Sequence, residues 1–261
     1  AEPLISRAID YESARDAAQD ALDKAAGLPV AAGDPDVFSR GVQMNVGMGA
    51  GLVLFGAAMG ALVAVAYCVA VGRIRLGSFK LALLVPVFFF VGMYAVPFAK
   101  YPANPPAIGH PDTIRMRGAL YLVTVFVSCL ALFLAVYVGQ RLHRRLSLYW
   151  TVIVMGVAYA VVMGVLFVVL PPVGHLHANL AEYGRQTTET PLPLRSPDGR
   201  IVFPGFPADL LAQFRAYSIA AQVILWGAIA VVFAPLAERV VEPEQASRRR
   251  TERAAAVPSI S

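Results

Sequence analysis

Five stretches of the chain, residues 47–71, 81–98, 118–139, 150–170 and 217–236, contain no Asp, Glu, Lys or Arg. Their apolar residues come in blocks, without the 3.6-residue period of a surface helix or the two-residue period of a half-buried strand. Each block has roughly the 17–25 residues a helix needs to cross about 30 Å of hydrocarbon. One such block could be a buried helix of a large soluble protein, but five in succession could not. The pattern predicts an all-α integral membrane protein, a bundle of five transmembrane helices joined by structured exterior loops. Block 81–98 is the shortest and carries Pro86 and Pro97, so a kink is expected there.

Between the blocks the pattern changes. Residues 4–26 read as an amphipathic helix with Leu4, Ile5, Ala8, Ile9, Ala18 and Leu22 on one side and Asp10, Asp16, Asp20 and Asp23 on the rest. Gly27 and Pro29 end it. Such a helix would lie on the membrane surface or cap the bundle. A linker at Asp34 to Asp36 follows, with Ser39 as a cap for the first spanning helix. Residues 1–42 thus form one unit, residues 43–240 the helix bundle with loops 99–117 and 171–215, and residues 241–261 a polar, Arg-rich tail expected to be disordered. In the 171–215 loop, the run from Ser196 to Arg200 is a turn between short β-capable pieces.

Composition agrees: 57% of residues are hydrophobic and 15% charged, against about 25% charged in a soluble domain. The net charge of +5 would suit a nucleic acid, but its distribution marks topology instead. Arg73, Arg75 and Lys80 share one short connector, Arg141, Arg144 and Arg145 another, and Arg248, Arg249 and Arg250 lie in the tail. The positive-inside rule places all three in the cytoplasm, with residues 1–42 and both long loops outside. An exterior N-terminal segment is expected to have been carried across by a sixth spanning helix upstream of Ala1 or by a cleaved signal sequence, the helix being the preferred reading. Nucleic acid is excluded as a partner; the bilayer is the solvent.

Candidate chemistry is sparse. There is no phosphate-binding glycine loop, no dinucleotide fingerprint and no zinc-protease motif, so no enzyme and no bound cofactor are expected. No charge lies inside the five blocks, where one would mark a functional site. A cation path would have to use carbonyls freed by Pro86 and Pro97, or polar residues such as Asn45 and Tyr94. His110, Asp112, His175 and His177 fall on exterior loops and offer the imidazole and carboxylate that suit a borderline divalent metal. Met44 and Met48, a turn apart, read as packing residues, as do Cys68 and Cys129. Gly49, Gly56 and Gly60 share a helix face and predict a groove for close helix packing.

The most distinctive run is KYPANPPAIGHPDT, residues 100–113. Its four prolines exclude a helix and fix the backbone repeatedly, so Tyr101, Asn104, Pro105 and Pro106 are expected to shape a stiff exterior surface. With its flank VPFAKYPANPPAIG (96–109) and Asp112-Thr113-Ile114, it resembles the actinobacterial-type CbtA family, predicted membrane subunits of cobalt transport. Two further stretches share the resemblance: QMNVGMGAGLVLFGAAMGALVAVAYCVAVGR (43–73), and Phe206-Pro207-Ala208-Asp209-Leu210-Leu211 through Phe214-Arg215 to VILW (223–226). The resemblance implies a multi-pass subunit of the bacterial cytoplasmic membrane, Co²⁺ as the transported ion, and a small single-span, His-rich CbtB partner. It also implies a helix upstream of Glu2.

Two readings follow. In the first, the chain is a subunit of a divalent-cation uptake system whose exterior loops capture cobalt and whose bundle, or a partner, conducts it. In the second, it is a non-catalytic accessory or assembly subunit of a larger membrane complex. Transport predicts a polar track between helices, and the accessory role a dry, fully packed bundle.

Overall fold

The computed structural model describes residues 2–29, 42, 46–74 and 76–255, with side chains to Val241. The linker at Asp34 to Asp36, Ser39, Met44 and Asn45 lie outside the described residues. The elements are α1 (Glu2–Ala25), α2 (Met48–Ala70), α3 (Ser78–Phe89), a π-helical segment (Phe90–Ala95), α4 (Val96–Lys100), a 3₁₀ turn (Pro111–Thr113), α5 (Ile114–Leu142), α6 (Leu148–Val169), a second 3₁₀ turn (Val173–His175), α7 (His177–Tyr183), β1 (Leu194–Arg195), β2 (Ile201–Phe203) and α8 (Ala208–Ala255).

Five helical spans among the described residues are long and apolar enough to cross a membrane: Met48–Ala70, Ser78–Lys100, Pro111–Leu142, Leu148–His175 and Ala208–Val241. The protein is therefore an all-α integral membrane protein. Each of the five charge-free blocks falls on one span. Most spans outrun their blocks, because polar residues such as Arg115, Arg117 and Gln140 extend the helix beyond its apolar centre.

The kink expected in the second span takes a specific form. Pro86 sits inside α3, Pro97 near the start of α4, and the backbone between them widens to a π-helix. A proline has no N–H for the carbonyl four residues earlier, and a π turn is one way for a helix to absorb the mismatch. α8 continues past Val241 to Ala255. Glu, Gln, Ala and Arg are good helix formers, and extending an existing helix needs no new nucleus.

The chain divides into two compact units. One joins α2 and α3 to the part of α8 from Gln222 onward. Its core holds Val63, Tyr67, Leu81, Ala82, Trp226 and Ala234. The Tyr67 ring meets Phe233 edge-on at 5.2 Å, and Phe89 stacks on Trp226 at 6.0 Å. Of the three glycines expected to form a packing groove, Gly56 faces the Leu225 side chain, whereas a Cβ on Gly49 or Gly60 would stand in open space.

The other unit contains α1, the segment from Gly92 through α7, the hairpin, and α8 up to Ala221. The hairpin forms where the β-capable pieces were expected, with Leu194 opposite Phe203 and Gly199 at φ 84° in the turn. The α1 helix ends at Gly27 (φ 71°) as predicted. Leu28 N–H donates to Asp23 and Gly27 N–H to Lys24, the paired bonds of a Schellman stop. Leu4, Ala8 and Tyr11 pack on Ile108, Phe206 and Leu210.

Candidate functional site

The proline-rich loop is stiff because almost every polar group near it is tied down. Lys100 Nζ donates to the Phe167 carbonyl at 2.7 Å. That carbonyl would ordinarily accept from residue 171, which is Pro171 and has no N–H. Tyr101 is buried, and its hydroxyl donates to the Pro171 carbonyl at 2.8 Å; burial raises its pKa. Arg215 donates to Asn104 Oδ1 at 2.8 Å and to the Ala103 carbonyl at 3.3 Å. Pro105 is buried and Pro106 exposed. Tyr101, Asn104 and Pro105 thus join the end of α6 and the start of α8 to one rigid loop. From the far side, the Tyr11 hydroxyl of α1 donates to the Pro204 carbonyl at 3.0 Å, and its ring meets Phe206 at 4.9 Å.

At the centre of this assembly lies a carboxylate that sequence reading did not single out. Glu189 is fully buried. Its Oε1 accepts from the Thr113 hydroxyl at 2.8 Å and from Asn179 Nδ2 at 2.6 Å. Its Oε2 stands 3.2 Å from Arg117 Nη1 as an ion pair. Asn179 Nδ2 also donates to the Val173 carbonyl at 2.8 Å, while Asn179 Oδ1 is buried without a hydrogen-bond partner. Two glycines permit this. Gly109 (φ 114°) lies under the Arg117 guanidinium, where a Cβ would come within 2.1 Å of Nη1. A Cβ on Gly174 would stand 2.2 Å from the Gln186 carbonyl. Glu189 is hard to find from sequence because it lies in QTTET, a polar run with no periodicity. The one available signal was Arg117, a cation at the edge of an apolar block.

The four candidate metal ligands are placed differently. His110 Nδ1 accepts from the Asp112 backbone N–H at 3.1 Å, which leaves the imidazole proton on Nε2, 3.1 Å from Glu182 Oε2. A metal at Nε2 would need that proton moved to Nδ1, against the Asp112 N–H. The Asp112 carboxylate is exposed and lies 3.9 Å from Nδ1. His175 closes the second 3₁₀ turn, and His177 opens α7 in an exposed position. Among the described residues, no three His, Cys, Asp or Glu side chains gather closely enough to hold a metal ion. Glu182 is shared with Tyr183, whose pKa is pushed up to about 12 by burial first and then by its hydrogen bond to Glu182 and that carboxylate's charge.

From the Glu189 cluster a line of polar groups descends α5. Thr113, Arg117, Tyr121, Thr124 and Ser128 recur at steps of four, four, three and four, which keeps them within about 80° on one helix face. The line covers about 22 Å, of which the part from Gly118 to Ser128, about 15 Å, lies within the charge-free block. Tyr121 donates to the Met93 carbonyl at 3.0 Å, within the π-helical segment and four residues before Pro97. Buried Thr124 bonds back to the Leu120 carbonyl at 2.8 Å. Ser128 Oγ and Tyr159 OH lie 2.7 Å apart. Cys129 Sγ rests on Gly92, where a Cβ would be 2.9 Å away. Below this, Gly139 packs closely on Met155 and Thr151.

Within one unit, then, a buried polar cluster adjoins a helix face that carries hydroxyls, in a protein with five membrane-capable helices. The family model CbtA, described as "Probable cobalt transporter subunit (CbtA)", matches residues 1–238, and the chain belongs to that family. No curated protein and no solved structure matches it.

Proposed function

We propose that this chain is the ion-handling membrane subunit of a divalent-cation uptake system, with Co²⁺ as cargo. The observation that carries the reading is the row of polar groups, Thr113, Arg117, Tyr121, Thr124 and Ser128, that leads along one helix face from the buried Glu189. A route for an ion needs oxygen ligands in the hydrocarbon, and the hydroxyls of Tyr121, Thr124 and Ser128 would supply them there without a fixed charge. The loop assembly would form the outer vestibule, with residues 1–42 and both loops outside the bacterial cytoplasmic membrane and the C-terminus within the cell. His175 and His177 would make first contact with the ion. His110 and Asp112 would join only after the Glu182 bond opens. The stripe ends near Ser128, so a second subunit, such as a single-span His-rich CbtB-like protein, would complete the passage. The role is transport without catalysis.

The close packing of Gly139 on Met155 beneath the stripe favours a second reading, an accessory subunit that assembles or steadies a larger complex. Radioactive cobalt uptake separates the two. Cells lacking the protein should lose uptake, and His175→Ala/His177→Ala and Tyr121→Phe should lower it at unchanged protein levels. Uptake that is equal in all strains rejects the transport reading. Uptake lost on deletion but untouched by the histidine pair keeps transport and rejects the capture site.

A further inference from the structure

We propose that the α5–α6 side of the protein holds an anionic phospholipid, its acyl chain in a groove between the two helices and its phosphate on the turn that joins them. The inference does not depend on the transport reading. An open groove of about 350 Å³ runs between α5 and α6, lined by Val127, Ala131 and Val138 on one side and Met155, Ala158 and Val162 on the other. Tyr159 turns its hydroxyl away to Ser128, leaving its ring to the groove. The walls are apolar, and the alanines lower them enough for a chain to lie between the helices.

Length decides the occupant. The lining residues extend about 16 Å along α5 and about 10 Å along α6, at 1.5 Å per residue. One leaflet of hydrocarbon is about 15 Å deep. The groove therefore suits an acyl chain of a single leaflet, whereas a partner's transmembrane helix would need a contact face of about 30 Å. It also ends at the right place. Val138 lies one turn before Arg141, and the connector beyond carries Arg144 and Arg145.

Charge names the headgroup. Between Asp112 and Glu182 the sequence has no acidic residue. Among the described residues, none of the three arginines is paired with a carboxylate. Arg141 lies over the Tyr137 ring at 4.5 Å and bonds its hydroxyl, which orients it, and Arg144 and Arg145 are exposed. Tyr149 and Trp150, both exposed and in edge contact at 5.4 Å, supply the amphipathic rings that sit at headgroup level. Three guanidinium groups at that level match a phosphate-bearing lipid of net negative charge.

The test uses the full chain with Trp226→Phe, so that Trp150 is the sole tryptophan of the two in the sequence. It is reconstituted in phosphatidylcholine vesicles that contain either phosphatidylglycerol or phosphatidylcholine brominated along the acyl chains. Brominated phosphatidylglycerol should quench Trp150 with a preference of about fivefold or more, and Arg144→Gln and Arg145→Gln should each reduce that preference by about fivefold, the worth of one cation at a membrane surface. Ala131→Phe, which fills the groove, should reduce quenching while the arginines remain. Lys80→Gln, on another connector, should leave it unchanged. Equal quenching by both lipids would overturn the proposal, as would a preference that survives loss of the arginines. A matching loss in Lys80→Gln would show general surface attraction and reject a defined site. Cross-linking of Ala131→Cys to another protein in native membranes, with no lipid preference, would assign the groove to a partner helix instead.

Discussion

Glu189 and Arg117 form a buried ion pair whose members depend on each other. Removing one partner leaves an uncompensated buried charge, at a cost of about 3–5 kcal/mol, whereas replacing both with apolar residues is often neutral. Arg117→Met, which strands the fully buried Glu189 carboxylate, should therefore destabilise the loop assembly by about that amount, and Glu189→Leu/Arg117→Met should recover most of it. Thermal unfolding of the purified protein in detergent measures both; equal loss in the single and double variants would show that Glu189 matters through Thr113 and Asn179 rather than through Arg117. Tyr183 gives a pH signature. Its folded pKa of about 12 exceeds the ordinary 10.0, so the neutral phenol is favoured by folding. Its contribution is complete below pH 10 and lost as pH rises from about 10 to about 12. Protease sensitivity of the loop assembly should rise across that window and lose this step in Tyr183→Phe; an unchanged profile would discount the group. Neither Glu189 nor Tyr183 was legible in the sequence, since a buried carboxylate in a polar loop looks like a solvated one until its partners are assembled.

At the scale of elements, the second span shows how a predicted irregularity becomes a specific structure. Pro86 and Pro97 were legible as a kink. The π segment between them, and the capture of the Met93 carbonyl by Tyr121, were not. If Tyr121 compensates for the donor that Pro97 lacks, the two residues are coupled. Tyr121→Phe should cost about 0.6–1.7 kcal/mol, the range for a hydrogen bond between membrane helices. In a Pro97→Ala background, where a backbone N–H is restored, that cost should shrink. A double-mutant cycle on unfolding free energy checks the coupling, and additive effects would refute it. That residues 100–113 form no long helix was readable from the prolines alone. The loop's tethers to Phe167, Pro171 and Arg215 were not, because these partners lie more than sixty residues away in sequence.

For the molecule as a whole, each unit carries its own core, and membership of the cobalt transporter subunit family covers residues 1–238. The unit built on α5 and α6 joins a polar assembly, a hydroxyl stripe and an apolar groove on two neighbouring helices. The expectation of four metal ligands on the loops must be read against this arrangement. His110 is engaged with Glu182, and no three-ligand group forms among the described residues. The sequence could identify residue types suited to a divalent ion, but not which side chains would meet.

What the sequence by itself determined is whatever depends on local composition and spacing. Charge-free blocks of membrane length force spanning helices, Gly27 stops α1, and Ser196 to Arg200 turn a hairpin. These outcomes follow from backbone satisfaction in hydrocarbon and from dihedral limits, which act within a few residues. Only the tertiary structure decided that Glu189 is buried among Thr113, Asn179 and Arg117, that Tyr121 meets the Met93 carbonyl, and that Ser128 meets Tyr159. Burial and long-range hydrogen bonds depend on which surfaces meet, and a single chain read in order carries no direct record of that.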